Sequence, residues 1–494
     1  MVGRLLLFSY IFVVASATVK LRELYAWNVL DWNYPDPFAK QRDIDSGALN
    51  PKNALPVGIE RWRNKLFVSV PRWFPGIPAT LNYIDMDAPY DPSPKLTPYP
   101  SFRENELGNC DEGLTTVYRI KADKCDRLWV LDVGTYGYDP NVTNLCPYAL
   151  NVYDLHTNRR LRRYVFRNED IVSTTFIANI ALDEGNSCDD TFAYFSDELG
   201  YGLIAYSWEQ NKSWRFSHSF FFPDPLVGDF NIAGLNFQWG SEGIFGISAS
   251  PRGPDGYRTL YFSPLSSYTE FAVSTRILRD ESKVEGSYHD FKVVGSRGPN
   301  THTTSKVMDE TGVQLYNLID QNAVGCWNTN LPLKPQNTAI ADKDDVGLIF
   351  PCDVKIDLDR NVWVISDRMA VFLESELDYS DINFRIYVAN FDSLVQGTVC
   401  EPDPSQAITQ FKNPTFDNSL SIYDANLASV TPQTFTGVSP AFRSLPTYVN
   451  NAQQKFTYQF PNQPAQSYVF STPKPLLSSN RPWWFANNNY SPYK

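Results

Sequence analysis

Histidine is scarce in this 494-residue chain, occurring only as His156, His218, His289 and His302. A paired-copper oxidase of phenols needs roughly six imidazoles, because each copper takes several neutral nitrogen ligands. That centre is excluded. No His-Glu-x-x-His motif, Gly-x-Ser-x-Gly elbow, phosphate-binding glycine loop or dinucleotide fingerprint occurs. His289-Asp290 has the form of a base beside its orienting carboxylate, but neighbours in a strand point to opposite faces. The pair is therefore not taken as catalytic. Cys110 and Cys125 lack zinc-finger spacing and have no histidine nearby. Residues 342–345 (DKDD) lack the ligand spacing and closing glutamate of a calcium loop, and read as a solvated loop. No cofactor and no metal site is expected.

Positive charge and long apolar runs are also in short supply. The formal net charge is −12, and an acidic protein of this size repels phosphate backbones, which argues against nucleic-acid partners. The one strongly apolar run, residues 5–14, follows Arg4 and precedes Ala15-Ser16-Ala17. It is too short to span a bilayer and has the form of a signal peptide. Cleavage is predicted after Ala17, giving an exported, extracellular chain without a membrane anchor.

Export gives the seven cysteines a meaning. In an oxidising compartment they read mostly as disulfides, and spacing does not choose among the pairings. One must stay unpaired, and Cys352 is the candidate because it starts an inner strand. The sequons at Asn141 and Asn211 lie in turn-rich segments and predict glycosylation. Residues 401–494 are rich in Pro, Gln, Asn, Ser and Thr without periodicity, and read as a disordered tail.

What the chain has in abundance is one loose motif. A short apolar or aromatic strand, usually closed by Ser, Asp or Pro, recurs at 66–71 (LFVSVP), 128–132 (LWVLD), 192–197 (FAYFSD), 260–264 (LYFSP), 314–319 (QLYNLI) and 362–367 (VWVISD). Consecutive copies start roughly 48 to 68 residues apart, the period of a propeller blade with room for loops. Four copies follow a strand that ends at Asp123, Asp183, Asp309 or Asp357. Aspartate opens turns because its carboxylate accepts bonds from amides two residues on. Ser250 and Glu60 hold the corresponding place in the fourth and first units. A second hairpin follows several copies, at 149–166 and 203–218, and the fourth and sixth copies continue into strands at 271–277 and 384–389. Each unit can thus supply four antiparallel strands. The predicted fold is all-β, a six-bladed β-propeller over 18–400 between a 1–17 leader and the tail.

Several segments carry a resemblance. Residues 199–208 (LGYGLIAYSW), 176–181 (FIANIA), 256–265 (GYRTLYFSPL) and 322–327 (NAVGCW) are similar to long, specific stretches of the Yellow / major royal jelly family of insects. Residues 70–73 (VPRW), 221–225 (FFPDP) and 298–300 (GPN) add to it, and the resemblance covers about residues 20 to 400. It implies a secreted six-bladed propeller with a role in cuticle melanization downstream of dopa or dopamine. Within the family some members convert dopachrome, and some salivary members bind biogenic amines in the central channel. At position 352 the family pattern leads to a small residue, so Cys352 departs from it.

Propellers bind ligands at the axis, where the inner strands converge. Those strands are expected to start near Thr115, Asn179, Gly246, Thr303 and Cys352, with Asp353 and Asp367 as possible carboxylates. An aromatic amine needs a carboxylate or amide for its ammonium and a ring face for stacking. Asn179, Thr303 and Asp367 are the candidates for the first role and Phe350 for the second. Two function classes stay open. One is a binder that carries a catechol, indole or amine precursor of melanin into the cuticle matrix. The other is an isomerase of dopachrome, for which no catalytic residue is identified.

Overall fold

The repeat strands are apolar on both faces because both faces are covered by neighbouring blades. Each becomes the second strand of a four-stranded antiparallel sheet, and six such sheets form the propeller. The computed structural model describes residues 20–138 and 141–402. The expected leader and nearly all of the expected tail lie outside the described residues.

Blades 1 to 5 take their strands in chain order. Their innermost strands are Gly58–Trp62, Val117–Ala122, Ile177–Glu184, Ile244–Ala249 and Lys306–Met308. Blade 6 differs. Its first three strands are Pro351–Ile356, Asn361–Ser366 and Phe384–Asn390, and its outer strand is Arg22–Trp27 from the other end of the chain. Trp27 pairs with Phe384 and Arg22 with Val388. Consecutive inner strands touch, and blade 6 touches blade 1, so the ring is closed.

The aspartate turns form as read at Asp123, Asp309 and Asp357, whereas Asp183 lies within the strand Ile177–Glu184 and its carboxylate accepts side chains, Arg258 and Arg279 among them, instead of turn amides. Asp123 accepts the amides of Cys125 and Arg127 at 2.9 Å through Oδ1, and the Trp129 indole at 2.8 Å through Oδ2. Asp357 repeats this with Asp359, Asn361 and the Trp363 indole. These carboxylates also hold blade to blade, because arginines of neighbouring blades reach them. Arg61 bonds Asp357, Arg360 bonds Asp309, and Arg258 bonds Asp183.

Four further local readings need correction. Glu60 does not open a turn: it lies within an inner strand, buried, and pairs with Lys121 at 2.9 Å. The turn falls later, between Trp62 and Lys65. Asp342 is not in a solvated loop but ends the strand Thr338–Lys343, where it accepts the amides of Lys20 and Leu21. It thereby seats the start of the closing strand. His289 and Asp290 lie in a single helical turn, Tyr288–Asp290, not in a strand. The strand read at 271–277 stops at Ser274, whose hydroxyl caps the short helix Thr275–Leu278.

Three disulfides join Cys110 to Cys146, Cys125 to Cys188 and Cys326 to Cys400. Cys352 is free and buried, as expected. Such bonds persist in oxidising compartments. No helix among the described residues is long and apolar enough to cross a membrane. Asn141 and Asn211 are both exposed. The Cys125–Cys188 bridge links blades 2 and 3 across a sequence separation of 63. Replacing both cysteines by alanine is expected to cost about 4 kcal/mol of stability through the freed loop entropy, read as a lower denaturation midpoint.

Candidate functional site

Two glycines shape the channel. A Cβ on Gly58 of blade 1 would lie 2.8 Å from the Tyr118 carbonyl, and one on Gly246 of blade 4 would lie 2.8 Å from Lys306 Cε. With no side chain at either place, residues of the flanking blades reach past them. Arg119 of blade 2 passes blade 1, donating to the Val57 carbonyl and, at 3.0 Å, to the Cys352 carbonyl of blade 6. Asn179 of blade 3 passes blade 4 and donates to the Thr304 carbonyl of blade 5 at 2.9 Å. Thr304 in turn donates to the Cys352 carbonyl. These bonds tie the middle of the channel across its width.

Beside this layer the buried charges are matched. Asp353 accepts from Lys355 and Ser305, both at 2.7 Å, and Glu60 pairs with Lys121. Glu270 holds Arg297 and Lys306 between blades 4 and 5. Burial in that site pushes the Lys306 ammonium down to about 8. Burial pushes the Asp353 carboxyl up, but Lys355 first and then Arg119 outweigh it and hold the group below its usual range.

The end of the second strand shows where the pattern breaks. In blade 2, Asp132 accepts the amides of Thr115, Thr116 and Gly134. In blade 3, Asp197 accepts those of Phe176 and Gly200 and pairs with Arg215 at 2.7 Å. Asn317 does the same for Thr304 and Ser305 in blade 5. Asp367 holds this place in blade 6, yet Met369 supplies the one backbone amide bonded to its carboxyl, through Oδ1. Its Oδ2 is buried and receives no hydrogen bond. Burial pushes the carboxyl up to about 8, against smaller lowering effects of the Cys352 thiol and Arg119. The Cys352 thiol is itself raised well above its usual range by burial, and its Sγ lies 3.3 Å from the Val57 carbonyl.

Across the ring, blade 3 supplies a second carboxyl group with a raised pKa. Glu198 follows the repeat aspartate, and Glu242 lies two residues before the inner strand of blade 4. Burial raises both carboxyls, and the charge of Glu242 adds to the rise of Glu198. Tyr118 lies between the two acidic groups. Its hydroxyl is pushed up by burial first, and by both Glu198 and Asp367. The Arg119 guanidinium lies 4.8 Å from its ring centre.

Aromatic rings cover this end. Tyr118 meets Trp73 at 5.8 Å, Phe176 at 5.1 Å and Phe245 at 6.4 Å between centroids. Phe372 meets Phe74 at 5.4 Å. The Trp239 indole donates to Glu374 and meets Phe350 at 6.2 Å. Segments from blade 1, from the blade 3–4 connection and from blade 6 therefore meet here.

The four residues named from sequence have different surroundings. Asn179 and Thr303 are buried, and their side chains bond neighbouring backbone or, for Thr303, Asn317. Phe350 is fully buried against Trp239. Asp367 has the free acceptor. Tyr118, Arg119, Glu198 and Glu242 were not named from sequence. Aligning the repeat copies places Glu198 directly after the repeat aspartate, which is the one local signal for it.

A separate cleft of about 560 Å³ lies beside blade 1, among Asp43, Phe102, Arg103, Glu106 and Tyr136. Arg72 lines it, but its guanidinium is spent on the carbonyls of Ile77, Leu114, Thr115, Pro78 and Asn105. It has no donor left for a ligand, and the cleft gathers none of the unpaired acids.

The raised Asp367 has a stability consequence. Unfolded, this carboxyl ionises near 3.8, whereas folded it keeps its proton to about 8. Between those values the folded state binds more protons, so its contribution to stability falls as pH rises through the window. Asp367→Asn is expected to remove that slope and to gain about 1–4 kcal/mol at pH 7 to 8 relative to the parent, with little difference near pH 4. Thermal melting of both proteins across pH 4 to 8 checks it.

The profile of the major royal jelly protein family matches residues 115–400. Protein yellow of Drosophila erecta is 63% identical over 386 residues, 78% of this chain and 71% of that one. Protein yellow of Drosophila pseudoobscura pseudoobscura is 55% identical over 462 residues, 92% of this chain and 80% of that one. Among solved structures, a virginiamycin B lyase from Staphylococcus aureus aligns over 69% of this chain and 97% of its own, at 12% identity and a TM-score of 0.38. A luciferin-regenerating enzyme aligns over 68% and 92%, also at 12% identity and 0.38. Those two likenesses are too distant to bear on chemistry. The sequence match, in contrast, spans more than half of the chain and holds at high identity, and the chain belongs to the Yellow / major royal jelly protein family.

Proposed function

We propose that the protein is a secreted factor of cuticle pigmentation that binds a catechol, indole or amine precursor of melanin at the end of the propeller axis where Asp367 lies. The observation that carries this reading is the buried Asp367 Oδ2, an acceptor without a donor beneath a cover of aromatic rings. A buried polar atom left unpaired costs free energy, and ligand sites are where such atoms acquire partners. The rings supply stacking faces and the acid supplies a partner for an ammonium or a catechol hydroxyl. Family membership supports the pigmentation role. Three disulfides, the leader-like start and two exposed sequons support an extracellular location, with the cuticle matrix as the surrounding partner.

One observation favours a second reading, an isomerase of dopachrome. A carboxyl held near 8 is tuned for proton transfer at neutral pH, which that isomerization requires. The two readings separate in one pair of experiments. Calorimetry with dopamine is expected to give saturable binding, weakened about ten- to a hundredfold by Asp367→Asn and about tenfold by Trp73→Ala. Dopachrome mixed with the protein is expected to fade at its uncatalysed rate. Acceleration that disappears with Asp367→Asn would establish the isomerase instead. Absence of both binding and acceleration would remove the axial site from the account.

A further inference from the structure

The axial site is shut. Asp367 and Phe350 are 0% exposed and Tyr118 is 2% exposed, so no aromatic molecule reaches the free Oδ2 unless part of the cover moves. Most of that cover is tied down. The segment that carries Trp73 and Phe74 is anchored by Arg72, which donates to the carbonyls of Ile77, Pro78, Asn105, Leu114 and Thr115. Phe176 is held through its amide by Asp197. The helix Met369–Glu374 opens on the Asp367 carboxyl itself, and Arg368 before it bonds Asn383 and Asp381.

The remaining piece is a hairpin between blades 3 and 4 that belongs to no blade, Asp229–Ile232 paired with Leu235–Gln238. Ala233 and Gly234 turn it, both at positive φ, as a two-residue hairpin turn of this hand requires. Phe230 and Ile232 are buried, whereas Asp229, Asn231, Asn236 and Gln238 are exposed. Its attachments single it out. Among the described residues, no hydrogen bond or ion pair joins residues 229–238 to any other segment. The one side-chain bond there, from Gln238 to Asp229, lies within the hairpin. Underneath, the contacts are apolar: Phe230 stacks on His302 at 4.0 Å and Phe237 meets Trp239 at 4.6 Å.

Polar ties occur only at the roots. His302 Nε2 lies 3.3 Å from the Val227 carbonyl, the Trp239 amide bonds the Gly228 carbonyl at 3.0 Å, and Ser266 donates to the Trp239 carbonyl. The Trp239 indole donates to the exposed Glu374 at 3.2 Å. Gly228 and Gly240 face each other there, and a Cβ on Gly228 would lie 2.8 Å from the Gly240 Cα. Both ends of the hairpin thus carry a residue of wide backbone freedom. A two-stranded hairpin is marginal by itself, and a segment with few polar anchors opens locally at low cost.

We infer that the hairpin Asp229–Gln238 is the gate of the axial site, swinging out about Gly228 and Gly240 to admit a ligand and closing over it. This rests on the axial-binding reading and adds the route of entry. Trp239 travels with the hairpin, so opening withdraws its ring from Phe350, which it meets at 6.2 Å. Its bond to Glu374 is the outer latch. The latch does not touch the ligand, so loosening it eases opening equally with the site empty or filled. Association and dissociation then quicken by one factor and affinity is unchanged.

Stopped-flow kinetics of dopamine binding to the full chain test this. Glu374→Ala is expected to raise both rate constants together by about two- to tenfold, the range for one lost hydrogen bond, with Kd held within about twofold. Gly228→Ala presses a methyl on Gly240 and is expected to act in the same way, whereas Gly240→Ala has 4.0 Å of room and is expected to match the parent. Hydrogen exchange on the ligand-free parent is expected to be at least about a hundredfold faster at residues 229–238 than in the flanking inner strands Ile177–Glu184 and Ile244–Ala249. Hairpin exchange as slow as that of the inner strands overturns the gate, as does dopamine binding whose association rate Glu374→Ala leaves unchanged. Either result leaves axial binding standing. Failure of dopamine to bind at all overturns both. The exchange measurement needs no variant, so it decides even where Gly228→Ala does not fold.

Discussion

Closure of the ring by the N-terminal strand is the constraint on which everything at the axis depends. Blade 6 has only three strands of its own, and Arg22–Trp27 completes it by pairing with Phe384–Asn390. Asp342 fixes the start of that strand through the Lys20 and Leu21 amides, and the Cys326–Cys400 bridge ties the segment that follows blade 6 to blade 5. A propeller left open at this seam would expose a strand edge and the apolar faces of two blades. Once the seam is shut, six inner strands are forced to share one axis, and their polar side chains must find partners there.

How they find them explains the division of the channel. Gly58 and Gly246 clear two of the six inner positions, and Arg119 and Asn179 cross the space they leave. The middle is thereby closed by hydrogen bonds that satisfy backbone carbonyls of blades 1, 5 and 6. Around it nearly every buried acid has a base or a set of amides. Among the described residues Glu198 and Glu242 form no ion pair, and Asp367 keeps a buried Oδ2 without a partner. Buried groups of this kind are costly to keep, and they gather at one end of one channel under the aromatic cover.

Local chemistry made most of the scaffold legible. The apolar repeat strands, the aspartate turns and the hairpins depend on contacts a few residues apart, and those were read from spacing. The same locality produced the errors. Glu60 sits where a turn aspartate is expected, but its partner is Lys121 of the next blade, and nothing nearby in sequence announces that pairing. Asp342 looked solvated because its partners, the amides of residues 20 and 21, lie at the other end of the chain. Cys352 was legible as the odd cysteine because the inner strand leaves it no neighbour in reach. Of the four residues named for the axis, Asp367 was legible as the repeat aspartate, and it is the one left with an unpaired acceptor. Tyr118, Arg119 and the glutamate pair were not, since each is ordinary in its own strand or loop.

The sequence by itself determined the number of blades, the order of their strands, the turn chemistry and the family. Each is set by periodicity or by side chains acting on adjacent backbone, forces that reach only a few residues. Tertiary structure alone decided which strand closes the ring, which glycines open a path across the channel and which acids are left without a base. Asp132, Asp197 and Asp367 show why: they occupy one repeat position and differ only in what surrounds them. A carboxyl's pKa is set by desolvation and by the charges around it, and those neighbours come from blades far apart in sequence that meet only when the ring has closed.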